Sequence, residues 1–67
     1  MKITLNNNSE SFESDRLTVN ELLRAKNFTL KMLIIKINGK LVKKEDYDSA
    51  IISEGDDVSV IHLISGG

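Results

Sequence analysis

The chain closes on Ser65-Gly66-Gly67, and the group with the clearest chemistry in it is the carboxylate of that last glycine. A free α-carboxyl titrates at about pH 3.3–3.7, so this one is ionised at neutral pH. An ionised carboxylate can attack the α-phosphate of ATP to give an acyl-adenylate, which a sulfur or amine nucleophile can then displace. Two consecutive glycines carry no side chains and lose more freedom on ordering than any other pair. The expectation is therefore a flexible tail over 64–67 that projects from the last strand. Gly66 and Ser65 would give access to a narrow channel, and Gly67 would react inside another protein. The alternative is a frayed terminus that holds glycines by accident.

Other groups with chemical potential are few. There is no cysteine, which removes disulfides, thiolate metal sites and any persulfide held on a side chain. Sulfur, if handled, must ride elsewhere. His62 is the single histidine, and a base needs a nucleophile and an orienting partner that the sequence does not supply. It reads as a polar strand residue. Glu54, Asp56 and Asp57 lack calcium-ligand spacing and read as a solvated turn. Lys36, Lys40, Lys43 and Lys44 gather about one hairpin and read as solvated or as partners for acidic groups on another protein. Tyr47 reads as core.

Composition narrows the class. Sixty-seven residues make one domain, 1–67, and a chain this short buries only about 60% of its unfolded surface. A deep site lined by several catalytic groups is hard to build on that scale, so the expectation is a protein acted upon by enzymes and not an enzyme itself. Nine basic residues against ten acidic, net charge −1, give no basic excess for nucleic acid. No apolar run approaches the length of a membrane span. Met1 to Leu5 is too short and too polar for a signal peptide. A cytoplasmic location is expected, with neither nucleic acid nor membrane as partner.

Stepping outward from the tail, Asp57 to Ile64 reads as the strand that leads into it, with Val58 and Val60 inward and Ile61 on the opposite face. Lys2 to Leu5 alternates as a half-buried strand with Ile3 and Leu5 inward. The Asn6-Asn7-Asn8 turn returns it as a second strand over Ser9 to Ser14. Thr18-Val19-Asn20-Glu21 is a capping box, and Val19, Leu22 and Leu23 form one apolar stripe. They predict a helix from Val19 to Lys26, stopped at Asn27, with Lys26 against the negative end of its dipole. Met32 to Ile37 predicts a strand with Leu33, Ile35 and Ile37 inward. Asn38-Gly39 predicts a type I′ hairpin into Lys40 to Val42. Lys43 to Ser49 predicts a helical turn with Ile51 and Ile52 packed under it, and Glu54-Gly55-Asp56 a turn. The order strand, strand, helix, strand, strand, strand suggests a mixed sheet on one helix, α+β in class. If the first and last strands pair centrally, they run parallel.

Three stretches, Ile37-Asn38-Gly39-Lys40, Ser53-Glu54-Gly55-Asp56-Asp57-Val58 and Ile61-His62-Leu63-Ile64-Ser65-Gly66-Gly67, resemble the ThiS family, the sulfur carriers of bacterial thiamin biosynthesis. The helix Thr18-Val19-Asn20-Glu21-Leu22-Leu23 fits the same pattern, and the likeness covers nearly the whole chain in order. The acidic turn one strand before a terminal Gly-Gly is its specific part. Ser65 stands where alanine is common, and Lys43-Lys44 where a proline is often found.

The resemblance implies a β-grasp (ubiquitin-like) fold of four to five strands and a defined cycle. A ubiquitin-activating-type adenylyltransferase, ThiF-like, would adenylate Gly67 using ATP and magnesium, which the carrier does not bind itself. A persulfide derived from a cysteine desulfurase would replace AMP and leave a thiocarboxylate. Thiazole synthase, ThiG-like, would then take the sulfur. Ile34, Ile61, Leu63 and Ile64 are the expected partner interface, because apolar residues so near the terminus cannot all be buried and such patches often mark docking sites. The competing functions are a carrier for molybdopterin synthesis, a ubiquitin-like modifier joined to lysines through Gly67, and an unrelated small domain with an inert tail.

Overall fold

In the computed structural model, residues 1–28 and 32–63 are described. The expected tail over 64–67, including the end of the last strand at Ile64, lies outside the described residues.

Strand β1, Lys2–Leu5, buries Ile3 and Leu5 and exposes the residues between them. It turns through Asn6 and Asn7, at φ 50° and 67°. Asparagine enters this left-handed region more readily than other side chains. The return strand β2, Asn8–Ser11, is shorter than expected, and Phe12 lies beyond it against the core. The Met1 carbonyl and the Phe12 amide meet at 2.8 Å.

Strand β3, Arg16–Thr18, runs directly into helix α1, Val19–Ala25. The capping box forms as the sequence demands: the Glu21 amide donates to Thr18 Oγ1 at 3.1 Å, and the Thr18 amide to Glu21 Oε1 at 2.8 Å. Two further N-terminal donors are satisfied by the chain on the far side, Val19 to the Ala50 carbonyl and Asn20 to that of Tyr47. The helix stops at the expected place. Asn27 takes φ 57°, the Phe28 amide reaches back to Leu23 and the Asn27 amide to Arg24, which together form a Schellman motif. Lys26 does not rest on the dipole alone, since its ammonium pairs with Glu10 of β2 at 3.0 Å.

Strand β4, Leu33–Ile37, buries Ile35 completely and holds Leu33 and Ile37 half-buried against the core. Asn38 and Gly39, at φ 52° and 82°, turn it into β5, Lys40–Val42, as the hairpin signal predicts. A 3-10 turn follows at Lys44–Asp46. Strand β6, Ile51–Ser53, and strand β7, Asp57–His62, are the last two elements among the described residues.

The main sheet has the order β2-β1-β7-β4-β5, with β1 and β7 parallel at its centre and the other neighbours antiparallel. This is the mixed five-stranded sheet on one helix of a β-grasp fold. The structure adds a second, two-stranded sheet, β3 with β6. Each of these strands has three residues, too few for alternation to register in the sequence. Their pairing also corrects one assignment. Ile52 is fully buried, but Ile51 is 45% exposed, because neighbours on a strand point to opposite faces. Tyr47 is half-buried at the rim of the core and not inside it. No helix among the described residues is long and apolar enough to cross a membrane.

Candidate functional site

The hydrogen bonds of β7 define which way each residue faces. Asp57 and Leu63 bond to β4 at its two ends, the Asn38 amide to the Asp57 carbonyl at 2.7 Å and the Leu63 amide to the Met32 carbonyl at 2.8 Å. The main-chain groups of Asp57, Ser59, Ile61 and Leu63 therefore face β4, and those of Val58, Val60 and His62 face β1. Side chains divide by the same rule of two. Val58 and Val60 point into the core beneath α1, while Ile61 points away from it, directly opposite Ile34 on β4.

The outer face consequently carries an apolar patch where β7 approaches the tail. Met32 is 53% exposed, Ile61 46% and Leu63 44%, with half-buried Ile34 between them. Lys36, paired with Ser59 and with Leu41, bounds the patch one step further along β4. Three residues named from the sequence as interface, Ile34, Ile61 and Leu63, are thus brought together at the root of the tail. The fourth, Ile64, and the tail residues Ser65, Gly66 and Gly67 lie outside the described residues.

The acidic turn before β7 is not merely solvated. Asp56 accepts the Ser53 amide through Oδ2 at 2.9 Å and the Asn38 side chain through Oδ1 at 3.0 Å. Glu54 accepts the Lys2 amide at 2.9 Å, and Asn38 Oδ1 accepts the Asp57 amide at 2.9 Å. These bonds lock the β4–β5 hairpin and the start of β1 to the start of β7, so the turn fixes where the last described strand begins. His62 is exposed, with no side-chain hydrogen bond among the described residues. A groove of about 260 Å³ lined by Asn20, Leu23, Arg24, Asn27 and Phe28 lies on the helix side of the sheet, away from the patch.

One participant was invisible in the sequence. Asn6 reads there as a turn former, yet its side-chain amide holds both main-chain groups of Val60. Nδ2 donates to the Val60 carbonyl at 3.2 Å, and Oδ1 accepts the Val60 amide at 2.8 Å. Nothing in local spacing announces a bond across 54 positions.

Comparison with known proteins is consistent in its direction. The sequence profile of the ThiS family matches residues 2–67. The sulfur carrier protein ThiS of Bacillus subtilis (strain 168) is 25% identical over 65 residues, covering 97% of this chain and 98% of that protein. The crystal structure of the thiamine biosynthesis protein ThiS from Geobacter metallireducens matches the full length of both chains with a TM-score of 0.90 at 26% identity. A solution structure of a thiamine biosynthesis protein from the same organism gives 0.77 at 27% identity, covering all of this chain and 88% of that one.

Proposed function

The chain belongs to the ThiS family, and from that premise we propose that it is a sulfur carrier of thiamine biosynthesis whose working group is the carboxylate of Gly67. The observation that supports this most is the placement of β7. The strand runs through the centre of the sheet, starts at a locked turn and leads towards Ser65-Gly66-Gly67 beside an exposed apolar patch. A cysteine-free chain fits the same reading, since the sulfur would then be held on the main-chain terminus.

The chemistry proceeds in four steps with partner proteins. In a ThiF-like adenylyltransferase a carboxylate oxygen of Gly67 attacks the α-phosphorus of magnesium-bound ATP, and pyrophosphate leaves. The terminal sulfur of a persulfide, supplied through a cysteine desulfurase, then attacks the acyl carbon and AMP leaves. A thiol cleaves the sulfur–sulfur bond of the resulting acyl disulfide, which leaves the thiocarboxylate on Gly67. Thiazole synthase takes the sulfur from there. The carrier contributes a nucleophilic oxygen, a tail thin enough to reach a buried site, and a surface by which partners hold it. It acts as a co-substrate.

Intact-mass measurement tests this directly. After incubation with the adenylyltransferase, ATP and a persulfide donor, the expected gain is the mass difference between sulfur and oxygen. An unchanged mass with an enzyme that is active on its own carrier sinks the reading, and a lysine adduct points to a protein modifier instead.

The patch makes a separate prediction. Ile61→Asp puts a charge at the centre of the apolar surface, where losing an anchor contact costs about 1–2 kcal/mol. The apparent KM for the carrier at the adenylyltransferase should rise roughly tenfold. Because Ile61 is already 46% exposed, the melting temperature should hardly move. An unaltered KM would remove the patch from the interface.

A further inference from the structure

We propose that Asn6 is a positioning residue for the transfer chemistry: its side-chain amide, bonded to both main-chain groups of Val60, sets the course on which β7 runs towards Gly67. The inference rests on the carrier reading above and adds a residue to it that touches neither ATP nor sulfur.

The main sheet has a gap beside Val60. The parallel pairing of β1 with β7 ends at Leu5 opposite Val58, and the Asn6 amide makes one more bond to the Val58 carbonyl at 2.9 Å. The chain then turns away through Asn6 and Asn7 into β2, so no main-chain group of β1 can serve Val60. Val60 is only 8% exposed and its amide and carbonyl both face that side. Left unpaired there, they would each carry a desolvation penalty. A primary amide has the donor and the acceptor of a peptide group, and Asn6 presents both to Val60 at 3.2 and 2.8 Å. The side chain thereby extends the ladder by one residue beyond the strand that owns it.

Val60 is also the last buried residue of β7 among the described residues; Ile61, His62 and Leu63 are exposed. Past that point β4 holds one edge, through the Leu63 bond to Met32. Among the described residues the Asn6 clamp is thus the last attachment of β7 on the β1 side. A strand held along one edge can pivot about it. Residues 60–63 span about 10 Å when extended, so a pivot of about 10° at Val60 displaces Leu63, from which the tail departs, by about 2 Å. Misplacement of a reacting group by about 1 Å can cost on the order of 100-fold in rate. The apolar patch and the clamp therefore govern different quantities. The patch holds the partner and sets KM, and the clamp aims the tail and sets kcat.

Two variants separate aim from fold. Asn6→Gly keeps the left-handed backbone at no steric cost and removes the amide. Asn6→Asp keeps the acceptor for the Val60 amide and loses the donor to its carbonyl. Pyrophosphate release by the adenylyltransferase is followed with the carrier as varied substrate, well below the melting transition, alongside amide hydrogen exchange at Val60. For Asn6→Gly, kcat should fall roughly tenfold with KM within about twofold, and Val60 should exchange faster; Asn6→Asp should lie between it and the parent. Parental kcat in folded Asn6→Gly, or a fall in kcat with Val60 still protected, overturns the proposal. Should Asn6→Gly fail to fold, the same comparison is made between Asn6→Asp and the parent. If the parent itself releases no pyrophosphate while the enzyme turns over its own carrier, the carrier reading fails and takes this inference with it.

Discussion

Deletion of Gly67 is expected to abolish adenylation and every later product while leaving the fold intact. The reason lies in reach and not in reactivity. A chain ending at Gly66 still ends in a carboxylate, equally ionised at neutral pH and equally nucleophilic. What changes is its position, which retreats by one residue, about 3.5 Å of extended chain. A near-attack geometry tolerates far less, and the rate should drop by more than about 100-fold. Stability should not follow, because the buried core among the described residues ends at Val60. A surface change of at most about 0.5 kcal/mol corresponds to about 2–4 °C in a domain of this size. Pyrophosphate release and a thermal melt on the same sample check both halves. Adenylation of the shortened chain at the parental rate would show that Gly67 is not the working group.

Much of this architecture was legible because local rules and the tertiary fold agree. Thr18 and Glu21 cap α1 as their spacing requires, Asn27 ends it, and Asn38-Gly39 turns β4 into β5, each through a bond or dihedral that acts over a few residues. The alternation of Ile3 with Leu5 and of Val58 with Val60 marked the inner face of two strands that lie at the centre of the sheet. The illegible parts depend on distant partners. Strands β3 and β6 exist because residues 16–18 meet residues 51–53, and three residues carry too little pattern to predict that meeting. Ile51 was misplaced for this reason, since only the pairing says which of two adjacent isoleucines faces inward. Glu54 and Asp56 look like generic turn acids until β1 and the β4–β5 hairpin come within hydrogen-bonding distance.

The candidate site divides along the same line. Ile34, Ile61 and Leu63 could be named from the sequence because a strand that must bury Val58 and Val60 must turn Ile61 outward. The chemistry assigned to Gly67 followed from what a terminal carboxylate can do and from the family resemblance. Asn6 could not be named, because its partner is the main chain of Val60, and main-chain partners leave no trace in residue types. The function proposed here thus depends on two kinds of information. Side-chain pattern supplies the apolar patch proposed for docking, and long-range main-chain geometry supplies the proposed course of the tail.

That delivery presupposes a core that holds, and Leu22→Ala is expected to cost the domain a large part of its stability. Leu22 is fully buried on the face of α1 that covers the sheet, flanked by Val19 and Leu23 on the same stripe. The helix has seven residues, and isolated helices shorter than about 12 residues are marginal in water. Its existence therefore depends on the burial of that stripe. Replacing a buried leucine by alanine removes about 2–5 kcal/mol, the spread reflecting how far the site collapses. For 67 residues the whole stability is about 3–10 kcal/mol, so one truncation removes roughly half. The denaturant midpoint should fall with the slope unchanged, and the melting temperature should drop by about 10–30 °C. Leu41→Ala is the matched control, because Leu41 is 62% exposed and its loss should stay within about 0.5 kcal/mol. Adenylation per folded molecule should be preserved in Leu22→Ala, which separates it from the Asn6 and Ile61 variants. If Leu22→Ala melted no lower than Leu41→Ala, the packing of α1 on the sheet would not be what holds this fold together.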